Sequence, residues 1–115
     1  MSDKYIKNID FASVIPFADQ VSYQQGQIVS RTLAQNKALS LTLFAFDEGE
    51  EISTHESEGD ALVLVLDGTV EITIDNEKYV LRSGETIVMP SGKPHSVFAP
   101  EQFKMFLIVV FPWQK

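Results

Sequence analysis

The chain has 115 residues, 44% hydrophobic and 22% charged, the make-up of one small globular domain. That balance excludes a disordered tail, a collagen-like chain and a fibrous coiled coil. A net charge of −7 leaves no basic footprint for nucleic acid, and the absence of cysteine removes disulfides, thiolate metal sites, iron–sulfur clusters and a thiol nucleophile.

Along the chain, Met1–Lys7 lacks the apolar core of a signal peptide. Asp10–Ala18 has room for one helical turn, interrupted by Pro16. Gly26–Leu33 and Ala38–Phe46 read as strands joined by the polar turn Ala34–Lys37. Ala61–Leu66 and Met105–Phe111 are apolar on both faces and too short to span a membrane, so each reads as a strand buried on both sides. Val70, Ile72 and Ile74 alternate with Glu71, Thr73 and Asp75, a half-buried strand. Asp75-Asn76-Glu77-Lys78 carries turn chemistry and Tyr79–Leu81 resumes the extended pattern, which makes a hairpin. Gly49, Gly68, Gly84 and Gly92 punctuate the middle of the chain at intervals of a strand plus a turn. Many short strands with regular turns predict a sandwich or barrel, and a barrel also removes the edges of such apolar strands. Of the many phenylalanines, most belong to the core or an interface; Trp113 reads as a packing anchor. The expected location is cytoplasmic, with no membrane and no nucleic acid as partner.

Acidic residues are unevenly placed. Residues 41–75 hold ten acids and no base, seven of them between Asp47 and Asp60. Such a run is either a solvated loop that aids solubility or a negative mouth that attracts cations, and the first is the commoner case.

The chemistry rests on two histidines. His55 follows Gly49-Glu50-Glu51-Ile52-Ser53-Thr54 and leads into the strand at Ala61; His95 follows Pro90-Ser91-Gly92-Lys93-Pro94 and leads into Ser96-Val97-Phe98. Each stands just past a glycine-marked turn, at the mouth of an apolar strand. Taken singly, each ring is as well explained by a hydrogen bond to Ser57, Ser96 or a backbone carbonyl that completes the fold.

The spacing of Gly49, His55 and Gly68, then of Gly84, Pro90, Gly92 and His95, resembles the two motifs of the cupin superfamily, small RmlC-like jelly-roll barrels. The resemblance covers residues 49–99, with motif one at 49–68 and motif two at 84–99. It implies an all-β fold: a single-domain cupin-like jelly-roll β-barrel, or double-stranded β-helix, over residues 1–115. In cupins with full motifs two histidines, a glutamate and the motif-two histidine bind a divalent metal. Here Ser57 stands for the second histidine, Ala61 for the glutamate and Ala99 for the closing asparagine, so only His55 and His95 carry over as metal ligands.

Two neutral imidazoles hold Zn, Ni, Fe, Mn or Cu weakly, whereas a dedicated site generally uses three or four protein ligands. A bulge near Gly59 that turned Glu58 or Asp60 inward would supply a third. Along one continuous strand, residues 55, 57 and 61 would face the same way. The expected function is binding of a small molecule, a divalent metal or both at the barrel mouth through His55 and His95, with Ser57, Met89 and Phe98 as further ligand contacts. The alternative is a metal-dependent cupin enzyme of dioxygenase, isomerase or decarboxylase type, using both histidines and a nearby carboxylate; no catalytic residue is assigned. If Val63 and Val65 fill the interior, Leu62, Leu64 and Leu66 face out and need cover from the N-terminal segment, another sheet or a second subunit. A homodimer with two-fold symmetry is expected.

Overall fold

The computed structural model describes residues 4–112, so Trp113 lies outside the described residues. Among the described residues nine strands follow one another: β1 Ile28–Gln35, β2 Leu39–Phe46, β3 Glu51–His55, β4 Asp60–Asp67, β5 Thr69–Ile74, β6 Glu77–Arg82, β7 Thr86–Met89, β8 His95–Phe98 and β9 Phe103–Val110. They form two antiparallel sheets, β1-β2-β9-β4-β7 and β3-β8-β5-β6. This is the expected all-β roll. No helix among the described residues is long and apolar enough to cross a membrane.

The helical turn falls later than the sequence suggests. It is a four-residue 3₁₀ turn, Phe17–Gln20, immediately after Pro16. Proline cannot supply an interior helix N–H, but its fixed φ suits a helix start, so the turn begins beyond it. The first hairpin is shifted for a similar local reason. Asn36 Oδ1 accepts the N–H groups of Ala38 and Leu39, which places the turn after β1 rather than within it. The β5–β6 hairpin turns on Asp75 and Asn76, with φ of 50° and 72°. Two consecutive left-handed residues give the turn whose twist matches that of the flanking strands.

The interior between the sheets is apolar. Val63, Val65, Val70, Ile72, Phe46, Phe103 and Met105 are fully buried there, and Phe46 stacks on Phe103 with ring centroids 4.5 Å apart. Val63 and Val65 do point inward and their leucine neighbours outward. Part of that outer face is covered by the N-terminal segment. Val21, Phe17, Tyr23 and Ile9 pack with Leu33, Leu43, Leu66 and Phe106, and Lys104 Nζ donates to the Ala18 carbonyl at 2.7 Å. Further along the sheet, Val88 and Val110 remain 48% and 57% exposed. The two strands read as buried on both sides are therefore buried on the inner face and only partly covered on the outer.

Close approach of backbones fixes Gly68. Its φ is +75°, and a Cβ there would overlap the Gln102 carbonyl oxygen. Both facts exclude a side chain.

Candidate functional site at the barrel mouth

His55 ends β3 and His95 begins β8, and the two are direct cross-strand partners. Their rings meet edge to face, with centroids 4.2 Å apart and planes at 66°. The register explains how. Ile52 pairs with Val97 and His55 with His95, so β3 spends three residues where β8 spends two. One extra residue makes a bulge, which reverses the facing of every later side chain. In a regular strand Ile52 and His55 would face opposite ways. The bulge returns both to the barrel side, opposite the buried Val97 and His95.

Each imidazole is fixed by the chain that leads into it. His55 Nδ1 lies 2.9 Å from the Ser53 carbonyl, and His95 Nδ1 lies 3.1 Å from that of Lys93. A carbonyl oxygen only accepts, so Nδ1 carries the hydrogen in both rings. In the neutral ring Nε2 then keeps its lone pair. His95 is 3% exposed, and its pKa lies below the usual 6.5. Burial is the main cause and the neighbouring His55 adds to it, while the bond to Lys93 opposes both.

The segment 56–59 between the histidine strand and β4 crosses from one sheet to the other. The parity argument that put residues 55, 57 and 61 on one face fails for that reason. Ser57 nevertheless stays next to the site. Its carbonyl accepts the Gly92 N–H at 3.1 Å, tying the crossing to the loop before His95, and its Oγ is buried with no hydrogen-bond partner. Ser91, which the sequence reading passed over, stitches the same two segments. It accepts from the Gly59 N–H at 3.0 Å, and its own N–H donates to Asp60 Oδ1 at 2.9 Å. Its only signal in the sequence is the turn Pro90-Ser91-Gly92. The carbonyls that orient the imidazoles belong to the backbone and leave no mark in residue type.

Met89 closes β7 at the same end of the barrel, buried and paired with Ala61 of β4. Phe98 is different. In the regular β8 pairing it stands opposite Glu71 and Glu51, three residues from His95, and faces away from the barrel interior. Neither expected carboxylate completes a metal set. Asp60 is held by Ser91, and Glu58 lies by a surface pocket with Asn36, Lys37 and Phe111. Among the described residues no group of three or more His, Asp and Glu side chains is placed to hold a metal ion. The two free Nε2 lone pairs suit a metal, but the donor set falls short of a dedicated divalent site. Part of the acidic run lies elsewhere. Asp47, Glu48, Asp67 and Glu101 line a separate pocket of about 420 Å³ with Tyr23, Gly68 and Gln102.

The double-sheet roll with a histidine pair on the bulged strand and its neighbour defines a class of β-barrel proteins. Residues 42–111 match the cupin domain family, and the chain belongs to it. It is 46% identical to a conserved protein of unknown function from Streptococcus pyogenes, covering 99% of this chain and 100% of that one with a TM-score of 0.96. It is 32% identical to a cupin superfamily protein from Desulfitobacterium hafniense DCB-2, covering 93% and 98% of the two chains with a TM-score of 0.89. Over 43 residues, 37% of this chain, it is 49% identical to a quercetin 2,3-dioxygenase of Bacillus subtilis (strain 168), a stretch that spans 11% of that enzyme.

Proposed function

We propose that the protein binds a small organic molecule at the barrel mouth through His55 and His95. One observation carries the reading: two touching imidazoles each have Nδ1 fixed by a backbone carbonyl and Nε2 left as a free acceptor. The fold is already complete without those two nitrogens, so their lone pairs are available to a ligand. A divalent metal at the same atoms would have two protein donors, which supports weak, exchangeable binding rather than a resident ion. The local likeness to a dioxygenase covers too little of that enzyme, and the site offers too few metal donors, for an oxygenase activity to be proposed.

The test is elemental analysis of untagged protein together with ¹⁵N imidazole spectra recorded against a fragment set. The expected result is substoichiometric metal and fragment-induced shifts at His55 and His95 that vanish in the respective alanine variants. A tightly held stoichiometric metal, or imidazole signals that no fragment moves, would overturn the reading.

We also propose a homodimer with two-fold symmetry through the outer face of the five-stranded sheet. Support comes from the half-covered Leu62, Leu64 and Ile108 beside the exposed Val88 and Val110.

A further inference from the structure

Resting on the proposed dimer, we infer that a loop grips its second copy: residues 10–16 of each protomer pack Phe11 and Val14 onto the bare half of the partner's five-stranded sheet. The loop is held at both roots. Before it, the Lys7 N–H donates to the Leu33 carbonyl and Asn8 Nδ2 to that of Thr32, both at 2.8 Å. After it, Phe17 packs edge to face on Phe106 and Val21 is buried. Between these roots the loop shows apolar groups to water. Val14 is fully exposed, and Phe11 is more than half exposed with the Lys4 ammonium 5.4 Å from its ring centroid. Ala12 holds a left-handed φ of 53°, which alanine adopts at a cost and keeps where its surroundings enforce it. Inside the loop, Ser13 Oγ donates to the Phe11 carbonyl at 3.2 Å, a single exposed bond that does not enforce it.

The receiving surface is contiguous. Val88, Leu62 and Ile108 are register partners in one row across β7, β4 and β9, with Leu64 and Val110 in the adjoining rows. Leu64 in turn pairs with Phe106, on which Phe17 stands, so the bare half continues the half that the N-terminal segment covers. One chain thus carries an unpartnered apolar loop and an unpartnered apolar face, and neither covers the other. A two-fold axis pairs them twice, each copy giving one loop and receiving one. Charge agrees with this occupant. Lys4 and Lys7 lead into the loop, whereas β4 belongs to the stretch 41–75 with ten acids and no base.

The experiment compares the full chain with Phe11→Ser and Val14→Asp by sedimentation, each shown to be folded by circular dichroism. Both side chains are exposed in their own chain, so the barrel is expected to be unchanged. The dimer dissociation constant is expected to rise at least about tenfold in each variant, since two-fold symmetry removes the contact twice. The chain has no cysteine, so introduced thiols report proximity directly. A Val14→Cys chain mixed with a Val88→Cys or Val110→Cys chain is expected to give a disulfide between the two chains on oxidation. If both loop variants dimerise as tightly as wild type, the loop contact falls while the dimer stands. If Val14→Cys and Val88→Cys placed in one chain close a ring within a monomer, the loop covers its own sheet and the inference is overturned. If the unmodified chain sediments as a monomer at every concentration, the loop contact and the dimer fall together.

Discussion

One extra residue in β3 decides where His55 points. Without the bulge between Ile52 and His55, the ring would lie on the far face of its sheet from His95. Deleting Thr54 removes the extra residue along with the bulge and leaves two steps from Ile52 to the histidine, matching Val97 to His95. A regular ladder is then expected to keep the two rings on one face and to retain fragment-induced shifts at His95, with the barrel folded by circular dichroism. His95 also gives a pH signature. Its pKa in the folded chain lies below 6.5, so on acidification the unfolded chain takes up that proton first. The contribution is fully present above about pH 6.5 and is lost as pH falls through the lowered value. The urea midpoint should fall between pH 7.5 and 5, less steeply in His95→Gln. Gly68→Ala, which meets the Gln102 carbonyl in a left-handed backbone, is expected to cost at least about 2 kcal/mol in urea unfolding. Gly92→Ala, which has open space around it, should cost less.

Elements with a strict period of two were the legible part of the fold. Val70–Ile74 and the Asp75-Asn76 turn stand where alternation and turn chemistry put them. At this turn Asn76→Gly should add about 0.5 kcal/mol and Asn76→Val should remove about 2 kcal/mol. What sequence could not show was non-local. A bulge over Ser53-Thr54 needs no special residue, so nothing announced it. The sheet crossing at 56–59 was hidden by an apolar run that begins only two residues later, which is why strand parity was carried too far. The motif spacing picked out two histidines whose rings the fold brings together, while the groups that orient them are carbonyls. The N-terminal segment was recognised as possible cover, but its attachment depends on the distant Phe106 and Lys104. Phe17 meets Phe106 edge to face at 5.0 Å, so Phe17→Ala should cost about 2 kcal/mol and speed amide exchange from Ile9 to Tyr23.

At the scale of the molecule, the acidic excess and the apolar sheet face act in opposite directions on association. Net charge of −7 opposes close approach of two copies, and salt screens it. The proposed dimer should accordingly tighten with ionic strength in light scattering. Leu64→Asp should give monomers at any salt, with fragment binding at the histidines retained.

The strand order has a consequence for synthesis. β9 lies between β2 and β4 and pairs with both along nearly its whole length. On the ribosome it emerges after every strand it joins. Until then β2 has β1 as its partner, β4 has only the short β7, and the apolar flanks that await β9 are bare. The nascent chain thus passes through a stage with two open apolar edges, which close only once β9 has left the ribosome and inserted between β2 and β4.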